Sequence, residues 1–562
     1  MTADPYIHRP WHSLYDGDAR GASIDPSGSV LQAFRLAVEQ APLRTAIEFF
    51  DTAISYRQLD DLSDGFAMWL LGEGVRSADR VFVSLQNVPQ LASSVLGIWK
   101  VGAIPVLGNP MYRERELRIL FTDCEPAVYI CHPAQLAEIR ASAGHAASVA
   151  VTDPHAFHGR PDIRNLWRDH RSPGEHPDIL EQVRSATGKP PSVSPSSDDI
   201  ALLLYTSGTT GTPKGAMLTH RNLIYTARLS SVWFKVDAKS RILGLAPLFH
   251  ITGFEVHLCL ALVCQATLIL FLRFDAHVAL QAIREHQATF LIGAATAYIA
   301  MMNALEPGDE SPLGTSPLPR LQSLQSVSQL YSGGAPVPPA LAQSFHKKTG
   351  HRILTAYGMT ETTAPTHAAP THAVVPVHAG TGAMAIGIPV PNTEARIVDE
   401  AGRSCPVGEA GEIWVRGPQV MAGYWRRPDE TAKVLVEGWM RTGDVGFMDP
   451  DGWFYLVDRK KDMIIASGFK VWPREVEDVL YSHPAVREAA VIGVADPYRG
   501  ETIKAFISLN ASAEVTESQL KAFCRERLAA FKCPHDIEIL PELPKTASGK
   551  IMRHALRTAK ES

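Results

Sequence analysis

The feature that most constrains this chain is a change of hydrophobic rhythm near residue 395. Before it, apolar strand-like runs alternate with amphipathic helical patterns: residues 81–85, a helical 90–101, then 104–107. Such alternation predicts an α/β architecture with mainly parallel sheets flanked by helices. Gly72, Gly74 and Gly102 fall where helices should end. After it, residues 395–398, 411–415 and 453–457 read as short strands separated by turns, with Asp451-Gly452 as a hairpin signal. That texture predicts a β-rich subdomain. Beyond Asp458 the runs 486–494 and 504–509 and a helical 517–530 predict a small α+β C-terminal domain. A chain of 562 residues is too long for one core. The expected division is a large N-terminal domain of several subdomains, 1–457, and a C-terminal domain, 458–562.

Several function classes lose support on composition. Lys and Arg total 54 against 59 Asp and Glu, a net charge of -5, so no electrostatic footprint for nucleic acid is present. Seven scattered cysteines show neither a Cys-x-x-Cys pair nor a zinc spacing, as expected of free thiols in a reducing, cytoplasmic compartment. The first residues carry no basic run before an apolar core, so no secretory signal is read. Residues 256–272 are apolar but short for a membrane span and contain His257, Gln265 and Thr267. They read as a buried helix running into a buried strand, which leaves peripheral membrane contact open.

Three polar or Pro-rich stretches, 185–199, 306–319 and 364–380, read as loops. The third holds His367, His372 and His378, whose spacing matches neither one helix face nor a metal-ligand pattern. Asp449-Pro450-Asp451-Gly452 lacks the later ligands of a calcium loop and reads as a turn.

The chemistry concentrates in Tyr205-Thr206-Ser207-Gly208-Thr209-Thr210-Gly211-Thr212-Pro213-Lys214-Gly215, directly after the apolar run 201–204. Its glycines let the backbone approach an anion closely, and its hydroxyls and Lys214 supply donors for phosphate oxygens. No Gly-Lys-Ser/Thr ending follows, so it is not a Walker A loop.

This segment resembles the signature loop of the acyl-adenylate-forming superfamily, which includes acyl-CoA synthetases, peptide-synthetase adenylation domains and firefly-type luciferases. Further motifs follow in that superfamily's order, over roughly residues 30–555. Pro247-Leu248-Phe249-His250-Ile251-Thr252-Gly253 resembles the segment whose histidine gates access of the carboxylate to ATP, which points to His250. Tyr331-Ser332-Gly333-Gly334-Ala335-Pro336 resembles the adenine pocket, giving Gly334, Ala335 and Pro336 as nucleotide contacts.

In Ala356-Tyr357-Gly358-Met359-Thr360-Glu361-Thr362 the resemblance places Tyr357 on adenine, Gly358 and Met359 beside it, Thr360 on the α-phosphate and Glu361 on magnesium. These roles suit a π-face, a hydroxyl and a hard anionic oxygen. Asp444 in Arg441-Thr442-Gly443-Asp444 would hold the ribose hydroxyls.

Asp458-Arg459-Lys460-Lys461-Asp462 resembles the inter-domain hinge, with Asp458 as pivot and Arg459 on the nucleotide. Ser467, Gly468 and Phe469 resemble the face that meets coenzyme A once the C-terminal cap rotates. Lys550, in Lys545-Thr546-Ala547-Ser548-Gly549-Lys550, resembles the lysine that catalyses adenylation.

The resemblance implies ATP-dependent activation of a carboxylic acid as acyl-AMP, with magnesium, followed by transfer to coenzyme A. The segment 458–477 is most similar to bacterial medium- and long-chain fatty acyl-CoA synthetases. An aryl or other modified acid, or a carrier protein as acceptor, remains the alternative. A binding protein without turnover disagrees with the presence of Glu361, Asp444 and Lys550. The chain departs from the pattern at Ala356, at Gly293-Ala294-Ala295-Thr296 and at Cys264-Gln265; the first two are expected to reshape the acid site.

Overall fold

A computed structural model describes residues 4–144, 147–160, 178–206, 213–305, 324–459, 462–466, 469–496, 500–510 and 513–558. The described residues form four sheets. The largest runs from Ile388–Pro389 through Ala364–Ala368, Leu354–Met359, Gln329–Gly333, Phe290–Gly293, Arg241–Leu243, Thr267–Leu270 and Thr45–Phe49 to Thr52–Ser55. Its centre is parallel and its edges antiparallel. The second runs from Gly423–Tyr424 through Lys214–Thr219, Ile200–Thr206, Ile104–Leu107, Arg80–Ser84 and Val128–Cys131 to Val149–Val151. Here the strand after the phosphate loop turns back antiparallel, and the strands beyond Ile200–Thr206 are parallel.

Burial explains why the alternation could be read from sequence. Ile104–Leu107, Thr267–Leu270 and Phe290–Gly293 are buried at every position, as strands covered by helices on both faces must be. The helix Pro89–Lys100 is buried along its whole length. After the phosphate-loop hairpin, Thr219 and Asn222 exchange side-chain and backbone bonds to cap the helix His220–Phe234, which fixes where the chain leaves the sheet.

The third sheet is antiparallel: Glu394–Val398, Gly411–Arg416, Trp439–Met448 and Leu435–Val436, with Phe454–Arg459 also pairing with Trp439–Met448. The fourth joins Phe469–Val471, Ile464–Ala466, Gly500–Leu509 and Val486–Asp496, with Asp536–Ile539 parallel on Gly500–Leu509. Alternate residues of its strand Val486–Asp496 feed two clusters. Val491 packs with Val476, Leu480 and Leu520, while Ala490 and Ile492 pack with Phe506, Leu543 and Leu556.

Three expectations need correction or refinement. The stretch 364–380 is not all loop: Ala364–Ala368 is a buried strand antiparallel to Leu354–Met359. Pro365 is tolerated because the register shifts there, and His367 is buried against Phe454. The helix expected over 517–530 stops at Arg525, and the chain turns into a short 3₁₀ segment Ala530–Lys532.

Residues 256–272 do form buried helix and strand, but a π-helical turn Phe254–Cys259 precedes the helix Leu260–Cys264. No helix among the described residues is long and apolar enough to cross a membrane. The expected loop 306–319 lies wholly outside the described residues, in the span 306–323.

Candidate active site

The site lies where the strand ends of the large sheet meet the phosphate-loop hairpin. Thr206 pairs with Lys214 across that hairpin. Ser207, Gly208, Thr209, Thr210 and Gly211 lie outside the described residues. The Lys214 ammonium forms an ion pair with Glu430, whose carboxyl that pairing holds down to about 2. The same ammonium sits 5.3 Å from the centroid of the Tyr424 ring. Tyr424 donates its hydroxyl to Glu361 Oε1 at 2.9 Å. Burial raises the pKa of that hydroxyl, and the neighbouring Glu361 raises it further, so it remains a donor.

Glu361 and Thr360 sit on a 3₁₀ turn, Thr360–Thr362, at the end of the strand Leu354–Met359. Glu361 is 7% exposed, and its carbonyl accepts from the Met421 amide at 2.9 Å. Thus a carboxylate from one sheet and an ammonium from another are tied through one tyrosine. On the same strand Tyr357, with Gly358 and Met359 after it, donates its hydroxyl to Asp444 Oδ2 at 2.7 Å. The His367 ring packs edge-on to Tyr357 with centroids 5.6 Å apart, and burial pushes its pKa down to about 3.

Gly334, followed by Ala335 and Pro336, leaves the adjacent strand Gln329–Gly333. The Lys550 Cε lies only 2.9 Å from where a Cβ at Gly334 would stand, and Gly334 has φ +78°. A side chain there would be strained and would exclude the lysine. His250 opens the short helix Ile251–Gly253, its Nδ1 accepting from the Thr252 amide at 3.3 Å. Burial, with the Lys550 ammonium adding to it, pushes His250 down to about 3, so it is neutral in the physiological range.

Asp458 stands opposite Val445, and Arg459 opposite Asp444, so the hinge candidates lie one strand away from the ribose candidate. Asp458 accepts from the Arg474 amide at 3.0 Å and from Arg553 Nη1 at 3.2 Å. Arg553 also bonds both Glu477 oxygens, at 2.9 and 2.8 Å. Ser467 and Gly468 lie outside the described residues, as do the side chains of Arg459 and Phe469.

Residues 34–425 match the family described as AMP-binding enzyme, and residues 475–550 match its C-terminal domain. The chain belongs to the AMP-binding enzyme family. Within that family this chain is an adenylate-forming acyl-CoA synthetase, an ATP-binding enzyme. A long-chain-fatty-acid–CoA ligase of Bacillus subtilis (strain 168) is 35% identical over 573 residues, covering 98% of this chain and 97% of the relative. A feruloyl-CoA synthase of an Amycolatopsis species is 35% identical, covering 92% and 96%. Among solved structures, ATP-bound MatB from Rhodopseudomonas palustris superposes with a TM-score of 0.81 at 28% identity, covering 95% and 99%.

Within this AMP-binding enzyme, four side chains near the candidate groups escaped reading from the sequence. Tyr424 and Glu430 come from the segment between the strands Gly411–Arg416 and Leu435–Val436 and meet Glu361 and Lys214 only through folding. His367 lay in what read as a loop. Arg553 follows Lys550 in a basic tail with no local signal for a buried ionic role.

Proposed function

We propose that this AMP-binding enzyme is a long-chain fatty acyl-CoA ligase that works through a fatty acyl-adenylate. The observation that carries the reading is the convergence of Lys550, His250 and Gly334 at the strand ends that also present Thr360, Glu361, Tyr357 and Asp444. The fatty acid is favoured by likeness to the Bacillus subtilis ligase along 98% of the chain.

In the first half-reaction a carboxylate oxygen attacks the α-phosphorus of ATP, and pyrophosphate leaves with the bond it breaks. Two anions must meet, so the charge on the transferring group has to be spread. Lys550 would bridge carboxylate and phosphate oxygens. Thr360 would donate to the α-phosphate, and Lys214, with Thr206, Ser207, Gly208, Thr209, Thr210 and Gly211, would cradle the triphosphate. Tyr357, Gly358, Met359, Gly334, Ala335 and Pro336 would take the adenine, Asp444 the ribose and Arg459 the nucleotide. His250, neutral beside the lysine, would gate the acid.

Magnesium suits Glu361, a hard carboxylate oxygen donor on a protected wall, and would supply neutralisation of triphosphate charge. In the second half-reaction the coenzyme A sulfur attacks the acyl carbon, AMP leaves and the thiol proton passes to water. A C-terminal cap, 458–562, turning about Asp458 would withdraw Lys550 and bring Ser467, Gly468 and Phe469 to the thiol. The enzyme would act in the cytoplasm, in keeping with its free cysteines.

A second reading, an aryl-CoA ligase, is favoured by the likeness to feruloyl-CoA synthase. Pyrophosphate release and thioester formation should be measured with octanoate, palmitate, oleate, ferulate and benzoate, with and without coenzyme A. Palmitate or oleate turning over fastest, with thioester formed, is the expected result. Turnover confined to ferulate or benzoate would replace it with the second reading, and no ATP consumption with any acid would overturn both.

A further inference from the structure

The hairpin that carries Lys550 supports its own shape. Lys545 and Ile551 bridge its base. The Thr546 amide donates to the Lys550 carbonyl at 2.7 Å, and the Gly549 amide to the Thr546 carbonyl at 2.9 Å. The Lys550 amide donates to Thr546 Oγ1 at 3.1 Å, and Gly549 takes φ +81° to close the turn. Lys545 anchors the base to Glu488 at 2.8 Å, within the C-terminal sheet. The position of Lys550 is therefore set by how this preformed hairpin sits on the large body.

Across that junction Ala547 packs on the main core, and Thr296 Oγ1 donates to the Gly549 carbonyl at 3.0 Å. Thr296 is in the first turn of the helix Ala295–Ala304, directly after the fully buried strand Phe290–Gly293. It is thereby fixed to the strand that pairs with Gln329–Gly333, which leads into Gly334. A Cβ built on Gly549 would stand 2.6 Å from the Thr296 hydroxyl, so the glycine is what permits the close approach. This turn is also where the sequence departs from the superfamily pattern, at Ala294 and Ala295. The departure faces the hairpin: the Ala294 Cβ lies 3.6 Å from that same built position.

We infer that Thr296 is a positioning residue whose hydroxyl holds the Lys550 hairpin in the adenylating orientation. The inference rests on the role proposed above for Lys550. One neutral hydrogen bond biases an equilibrium by about threefold to tenfold. That is enough to favour one orientation and weak enough to release for the thiol step. Because the bond exists in one orientation only, it affects one half-reaction.

The test measures palmitate-dependent ATP–pyrophosphate exchange, and separately palmitoyl-CoA formation from presynthesised palmitoyl-adenylate. Thr296→Val should lower the kcat of exchange about threefold to tenfold, with KM for palmitate and ATP unchanged and thioester formation retained. Thr296→Ser should restore exchange. Thr296→Ala, which removes the same hydroxyl without adding bulk, should produce the same split even if Thr296→Val folds poorly. Lys550→Ala is the control and should lower exchange by roughly 100-fold or more while sparing the thioester step. If Lys550→Ala lowers both halves alike, the role of Lys550 falls and this inference with it. If Lys550→Ala splits the halves but Thr296→Val leaves exchange untouched or lowers both halves equally, the Thr296 inference is overturned and Lys550 keeps its role.

Discussion

The C-terminal part of the chain meets the large body at two junctions of opposite character. At the end of the strand Phe454–Arg459, Asp458 is 5% exposed and bonded to Arg474 and Arg553. Arg553 in turn holds Glu477 and Asp462. Burial works against the charge on Arg553, but Glu477, Asp458 and Asp462 outweigh it and raise its pKa. At the Lys550 hairpin the described contacts include a glycine, two alanines and one threonine hydroxyl. Breaking a buried ionic cluster costs several kcal/mol, whereas losing one neutral hydrogen bond costs about 1 kcal/mol. A part that must reorient during turnover should pivot on the first kind of junction and exchange the second.

The largest effect is expected at the ionic junction. Arg553→Met leaves Glu477 and Asp458 without their cation and should destabilise the C-terminal part by about 3 kcal/mol, the low end for a buried pair because Arg553 keeps some exposure. Thermal unfolding should then show an early transition, with proteolysis beginning beyond Asp458. A single unchanged transition would remove the contrast between the junctions.

Next is the link inside the large body. Tyr424→Phe deletes the hydroxyl that orients Glu361 and keeps the ring beneath Lys214. A hydrogen bond to a charged group is worth about 1.5–3 kcal/mol, so where adenylation relies on an oriented Glu361 it should fall about tenfold or more. Equal loss of the thioester half-reaction would place Tyr424 in general stability instead.

The smallest effect concerns protons. His250 is lowered from 6.5 to about 3, so the unfolded chain binds the proton more readily. Its contribution to stability is therefore complete above pH 6.5 and is lost as pH falls toward 3. His250→Asn removes that loss, so between pH 6.5 and about pH 5 the variant should gain up to about 2 kcal/mol relative to the parent. A difference in melting temperature that stays constant with pH would contradict a buried neutral His250.

What was legible in the sequence follows from what is local. Strands such as Ile104–Leu107 and Thr267–Leu270 read correctly because burial on both faces makes them continuous apolar runs. The candidate groups were found because each sits within a short contiguous motif at a strand end, as Tyr357, Thr360 and Glu361 do. The pairings were not legible. Tyr424 meets Glu361 across 63 positions and Thr296 meets Gly549 across 253, and neither partner marks the other in sequence. Ala364–Ala368 was hidden because Pro365 and His367 look like loop chemistry, while the register shift that admits the proline exists only in the folded sheet.

The most direct measurement is a single turnover with excess enzyme, palmitate and ATP labelled at the α-phosphate, without coenzyme A. Palmitoyl-AMP and pyrophosphate should form together and persist, and coenzyme A added afterwards should convert the adenylate to palmitoyl-CoA and free AMP. Release of ADP, or thioester formation with no adenylate detectable beforehand, would contradict the account.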